Sequence, residues 1–307
     1  MKKRVLLIAG PTAVGKTALS LDLARQFNGE IISGDSMQVY RRLDIGTAKV
    51  LPTEQAGIPH HLIDIKDVQQ RFTVAEFVSR ATDLITQLNA AGKLPIIVGG
   101  TGFYLQSLLA GYQFGPTDAE PDLTYRQHWF DLAAEQGPDT VWQALQDLDP
   151  VAAATIDPHN TVRVVRALEY HQTSGQLFSA QADTETDALD ALTICLTAER
   201  SLLYDRINQR VDQMMTTGLL AEAQWLYDQG GITLPAGKGI GYHELFPYFA
   251  GEIELDQAVA QIKQDSRRYA KRQLTWFRNK MTVDWYNLIE QPDELNNIKQ
   301  NLISWLN

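Results

Sequence analysis

A chain of 307 residues, 44% hydrophobic and 21% charged, can bury a substantial core and is long enough for one large domain or two modest ones. No apolar run approaches the ~20 residues of a membrane helix. The lone Cys195 excludes an internal disulfide or a multi-cysteine metal site, so the cytoplasm is the default compartment. The net charge of −10 argues against indiscriminate attraction to nucleic acid, which draws on clustered Lys and Arg, so any such affinity has to be local.

The opening MKKRVLLIAG has the basic start and short apolar run of a signal peptide, but GPTAVGKT follows at once with no small-residue cleavage site. RVLLIAG therefore reads as a buried strand. KTALSLDLARQF reads as a helix, because Leu19, Leu23 and Phe27 recur at four-residue intervals. Between them, Gly10, Pro11, Thr12, Ala13, Val14, Gly15, Lys16 and Thr17 form a Gly-x4-Gly-Lys-Thr loop. Its glycines turn successive N–H groups toward an anion, Lys16 adds a movable charge, and the Thr17 hydroxyl suits Mg2+. Such a cradle does not say whether its phosphate is hydrolysed, passed to an acceptor or expelled.

GEIISGDS reads as a second strand, HHLIDI as a possible third and KLPIIVGGTG as another, with TVAEFVSRATDLITQLNAAG as a helix among them. Alternating β and α elements imply a parallel sheet covered on both faces, with ligands at the carboxyl ends of its strands. Asp35 follows the second strand, where dinucleotide-binding folds hold a ribose, but Gly-x-Gly-x-x-Gly is absent, which disfavours a dehydrogenase. Ser36 and Gln38 suit a base edge, and Gly46, Thr47 and Lys49 lie in another flexible polar segment. Asp35 or Asp64 would serve a kinase or NTPase as metal partner. His60 and His61 are expected to point apart, in structural or solvent roles. Gly99, Gly100, Thr101 and Gly102 follow a strand, so Thr101 should reach the rim that carries the phosphate loop.

From about residue 114 the pattern becomes helical, from the breaker-rich FGPTDAEPDL to the polar SAQADTETDALD, before LTICLTAE restores a strand. The expected organisation is an α/β core with a phosphate-loop parallel sheet, residues 1–113 and 191–307, interrupted by a mainly helical insertion domain, 114–190. Long helices fill the remainder, separated by the glycine-rich AGKGIGYHE. Arg206 and Arg210 share a helix face, where pairing with Asp205 or Asp212 is the ordinary expectation; Met214 and Met215 are expected in the core. RRYAKRQLTWFRNK carries six basic residues and no acid. On a helix, Arg268, Lys271 or Arg272, and Arg278 adjoin Tyr269, Gln273 and Trp276, an interleaving suited to phosphates and stacked bases.

In order along the chain, GPTAVGKT, DSMQVYRRLDIGTAK, GGTGFYLQSLL, HNTVRVVRALEYHQTSG, RINQRVDQMMTTGLLAEAQWL, GIGYHE and RRYAKRQLTWFR resemble the bacterial tRNA dimethylallyltransferase (isopentenyltransferase) family over nearly the whole length. Val14, Arg42, Val50 and Phe103 depart from the residues common there without removing a reacting group. The resemblance implies transfer of a dimethylallyl group from dimethylallyl diphosphate to N6 of the adenosine 3′-adjacent to the anticodon, with tRNA as partner and Mg2+ as cofactor. By that resemblance the phosphate loop clamps a leaving group. Lys16, Thr17 through Mg2+, Thr101 and Arg210 hold the diphosphate, and Asp35 is the general base. The target base has to be flipped out of its stack. The resemblance sets Asp35, Ser36, Met37, Gln38, Arg163, Arg166, Lys238, Gly241, Tyr242, Lys271, Arg272, Gln273, Trp276 and Arg278 against tRNA. A monomer is the simplest expectation. A phosphate-loop kinase or NTPase and an RNA-binding module with a vestigial loop are the rival readings.

Overall fold

The computed structural model describes residues 2–112, 122–180 and 189–307. The boundary stretches expected at 114–121 and 181–188 lie outside the described residues. By contact the chain divides into two compact units, Met1–Ala110 with Asp187–Asn307, and Gly111–Thr186.

In the first unit, β1 (Arg4–Ala9), α1 (Lys16–Gln26), β2 (Gly29–Ser33), β3 (His60–His61), α2 (Val74–Ala90), β4 (Leu94–Gly99) and α3 (Gly102–Leu109) come in that order. The second unit holds α4 (Leu123–Gln136), α5 (Pro138–Leu148), α6 (Pro150–Ala153) and α7 (Thr161–Ser174). The chain then returns with β5 (Asp190–Leu196), α8 (Arg200–Thr217), α9 (Leu219–Asp228), α10 (Phe246–Phe249), α11 (Leu255–Lys280), β6 (Asp284–Tyr286) and α12 (Glu294–Leu306). Among the described residues six strands lie in the order β3-β2-β4-β1-β5-β6, and every pairing between them is parallel.

Alternation along β1 explains the two layers. Leu6 and Ile8 face a core completed by Leu19, Leu23, Leu203 and Ile298, whereas Val5, Leu7 and Ala9 face one completed by Phe77, Ile85 and Leu105. A third cluster, with Leu43, Leu219, Leu226 and Tyr242, sits under the α8–α9 turn. The second unit has its own core of Val141, Leu145, Val164, Val165 and Leu168. There α7 exposes Arg163 and Arg166 and buries Glu169, which pairs with Arg126 at 2.6 Å.

Two expectations need correction. The third strand is only His60–His61 and ends before Asp64, whose φ of 56° departs from extended backbone. The sheet also gains an edge strand, β6, at DWY, too short for periodicity to reveal.

Candidate active site

Side chains from the carboxyl ends of β1, β2 and β4 and from α8 and α11 surround one cavity of about 900 Å³ within the first unit. Thr12–Thr17 form one wall, Ser33 and Asp35–Gln38 a second, and Lys238–Gly241 a third. The phosphate loop is held from both sides. Gly10, at φ 142°, approaches Leu196 so closely that a Cβ would lie 2.8 Å from its carbonyl oxygen. Lys16 Nζ donates to the carbonyls of Gly10 (2.9 Å) and Pro11 (2.6 Å). Arg206 Nε donates to Ala13 O at 3.0 Å, so Arg206 latches the loop instead of pairing with Asp205 or Asp212. Asp212 instead binds Lys263.

Arg210 lines the cavity and is likewise free of those acids. Burial pushes its pKa down, opposed by the charge of Asp35. Burial also lowers Lys16 to about 8; Arg210 adds to the drop and Asp35 opposes it. Lys16, Arg210 and Asp35 therefore sense one another's charge across the cavity. Thr17, in the first turn of α1, is exposed to the same space.

Asp35 is fixed by its own loop. Its Oδ1 accepts from the backbone N–H of Met37 (2.7 Å) and Gln38 (3.3 Å), an Asx-type turn. Thr101 stands just behind this wall: its Oγ1 accepts from Ser36 N at 3.2 Å, and Tyr269 bonds to it. Thr101 thus reaches the rim as a support for Ser36 and Tyr269. Tyr269, read from sequence as part of the basic-aromatic face suited to stacked bases, lines the cavity, and burial followed by the charge of Asp35 raises its hydroxyl to about 12. Met214, expected in the core, also lines the cavity, and His60, expected in a structural or solvent role, forms part of its wall while its Nδ1 donates to Ile58 O at 2.8 Å. His61 does point away, to Glu30 at 2.6 Å.

Several residues expected against RNA are committed inside the protein. Gln273 is buried; its Oε1 accepts from Thr12 N (3.1 Å) and its Nε2 donates to Gly100 O (2.9 Å), so it braces two loops. A Cβ on Gly100 would lie 2.1 Å from that Nε2, which is why glycine stands there. Trp276 packs on Gly102 and edge-on against Phe103 at 6.1 Å, its indole N–H buried without a hydrogen-bond partner among the described residues. Tyr242 is fully buried, its hydroxyl donating to Glu222 at 2.6 Å. The Gln38 amide accepts from Ser33 Oγ and donates to the carbonyls of Thr47 and Ala48, which fixes it in the wall of the cavity. Gly241 lines the cavity with its N–H given to buried Glu244.

The segment around Lys49 is not a loose polar loop. Lys49 is buried, donating to Tyr40 O, Asp44 and Asp64 at 2.6–2.8 Å, which also removes Asp64 from any metal role. The exposed cations of the basic helix are Arg268, Lys271, Arg272, Arg278 and Lys280. Of these Arg272 lines the cavity, Arg268 pairs with Asp265, and Arg278 lies over the Trp285 ring at 5.6 Å. Lys238 and Ser36 complete the polar rim.

A glycine-lined anion cradle at the strand tips of a parallel sheet, flanked by half-buried cations and one fixed carboxylate, defines the class of phosphate-loop α/β proteins. The comparisons narrow this. Residues 38–280 match the family model described as IPP transferase, and the chain belongs to that family. It is 73% identical over 305 residues to a tRNA dimethylallyltransferase of Lactiplantibacillus plantarum, covering 99% of this chain and 98% of that one. With the corresponding protein of Limosilactobacillus reuteri it shares 57% over 304 residues, 99% of each. Among solved structures, a tRNA isopentenylpyrophosphate transferase of Bacillus halodurans is similar at 44% identity and TM-score 0.73, covering 99% of this chain and 97% of that one. A eukaryotic dimethylallyltransferase acting on tRNA is similar at 31% and 0.81, covering 98% and 78%.

Proposed function

We propose that this chain transfers a dimethylallyl group from dimethylallyl diphosphate to N6 of the adenosine 3′-adjacent to the anticodon in tRNA, releasing diphosphate. The observation that carries the reading is the placement of Lys16, Arg210 and Asp35 around one cavity that also has apolar wall residues, Met37, Val211, Met214 and Ile262. In the step itself the carbon–oxygen bond to diphosphate breaks, the N6–carbon bond forms, and the N6 proton passes to Asp35. Adenine N6 is a weak nucleophile because its lone pair is delocalised, so a fixed carboxylate and enforced alignment are the contributions the protein can make.

Charge develops on the departing diphosphate, where the loop N–H groups, Lys16 and Arg210 stabilise it. Thr17 would hold Mg2+ together with substrate oxygens. Its exposed hydroxyl beside an anion cradle is a hard-oxygen donor fit for that ion, which when bound supplies further neutralisation of the leaving group. Thr101 acts through Ser36 and Tyr269. Ser36, Met37, Lys238 and Arg272 are the cavity-edge contacts for the flipped nucleotide. Exposed Arg163, Arg166, Lys271 and Arg278 are the backbone contacts.

Nucleoside mass spectrometry after incubating unmodified tRNA with the protein, Mg2+ and dimethylallyl diphosphate tests the proposal. The expected product is N6-dimethylallyladenosine with one diphosphate released per transfer. Unshifted adenosine together with ATP hydrolysis would replace it with the kinase or NTPase reading.

A further inference from the structure

The cavity's second and third walls converge on a residue outside it. Glu222, on α9, accepts from three consecutive backbone N–H groups: Asp44 (2.8 Å) and Ile45 (2.9 Å) on Oε2, and Gly46 (2.9 Å) on Oε1. Successive N–H groups converging in this way make an anion nest, and here the protein's own carboxylate fills it. Oε1 also accepts the buried Tyr242 hydroxyl, next to the Lys238–Gly241 wall. Gly46 lies so close to that ring that a Cβ would meet Tyr242 Cζ at 2.5 Å.

From the nest the contacts run onward to the carboxylate of the site. The carbonyls of Thr47 and Ala48 receive Gln38 Nε2, and Gln38 Oε1 receives Ser33 Oγ at the tip of β2. The Gln38 N–H closes the turn on Asp35 Oδ1. The phosphate loop is held by other residues, Gln273, Arg206 and Lys16's own bonds.

We propose that Glu222 is a positioning residue for the transfer reaction: by filling the 44–46 nest and holding Tyr242, it sets Asp35 and the Lys238–Gly241 wall in register. The proposal rests on the prenyl-transfer reading given above. It separates the two halves of the site, since disturbing Glu222 should misplace the acceptor side and leave the diphosphate cradle intact. A shift of about 1 Å at a general base is enough to cost on the order of a hundredfold in rate.

The test compares wild type, Glu222→Gln and Tyr242→Phe in three measurements: kcat and KM for tRNA, calorimetric binding of inorganic diphosphate, and amide exchange over residues 36–48. In Glu222→Gln one oxygen becomes an N–H donor facing N–H donors. The expected result is a kcat lower by about 10- to 100-fold, faster exchange at 44–48, and diphosphate affinity within about twofold of wild type. Tyr242→Phe, which deletes one hydroxyl, should move kcat and exchange in the same direction by less. A folded Glu222→Gln with wild-type kcat, or with diphosphate affinity lost in parallel, overturns the assignment. Should that variant not fold, unchanged kcat and exchange in Tyr242→Phe overturn it. Failure of the underlying reading is distinct: wild type itself would then yield no dimethylallyladenosine, while the exchange data still report on the nest.

Discussion

Lys16 sits among groups that make its charge conditional. Burial and Arg210 bring its pKa from 10.5 to about 8, and Asp35 only partly offsets them. A base whose folded pKa is lowered binds its proton less tightly than the unfolded chain does, so this group favours the fold increasingly as pH rises from about 8 toward 10.5. An anionic ligand reverses the balance and draws the proton back. Inorganic diphosphate should therefore bind with proton uptake near pH 8 and about tenfold more weakly at pH 9 than at pH 7. Calorimetry in buffers of differing ionisation enthalpy reads both, and Lys16→Met should abolish the uptake. Asp35 invites a separate substitution. Asparagine keeps the oxygen that accepts from Met37 and Gln38, so the turn persists while the base is lost. Asp35→Asn should lower kcat by about 10²–10⁴-fold with tRNA affinity within threefold, measured by single-turnover prenylation and filter binding. Wild-type turnover in this variant would remove Asp35 as base.

Between elements, α11 is the strut that joins the loops after β1 and β4, and Gln273 is its point of contact. Leucine at that position would orphan the Thr12 N–H and the Gly100 carbonyl at a cost of about 1–3 kcal/mol each. Gln273→Leu should lower the thermal midpoint and weaken diphosphate binding together, a pattern opposite to that expected for Glu222→Gln. The same helix shows why sequence reading was uneven here. A phosphate loop between a strand and a helix is local, so Gly10–Thr17, β1 and α1 were legible from spacing alone. The inward turn of Gln273 and Trp276, by contrast, depends on glycines at 100 and 102 that are distant in sequence and make room for them. A basic-aromatic stretch shows that one face is charged; it does not show which polar residue is spent on a neighbouring backbone. Glu222 left no signal, since a single Glu in an amphipathic helix looks solvated until the nest it fills is folded beside it.

At the scale of the whole molecule, the alternation of buried strands with amphipathic helices pointed to an α/β core, and the helical stretch between breaker-rich boundaries to an insertion. What composition could not show is where an acidic protein keeps its positive charge. With a net charge of −10, the cations are sorted: Lys16, Arg206, Arg210, Lys238 and Arg272 line the cavity, while Arg163 and Arg166 stand exposed on α7 in the second unit. If the latter pair meets phosphates, neutralisation there releases counterions and must register in salt dependence. Arg163→Ala combined with Arg166→Ala should weaken tRNA binding and flatten the slope of log affinity against log salt by about 1.5, at roughly 0.7–0.9 per phosphate contact. Inorganic diphosphate binding should stay at the wild-type value, because neither arginine lines the cavity. The α7 core of Val164, Val165 and Leu168 is untouched by either change, so helicity and midpoint are expected to hold. Titrations of fluorescent anticodon stem-loop at several salt concentrations decide it: an unchanged slope would take α7 out of the RNA interface and leave recognition to the cavity rim and the basic helix.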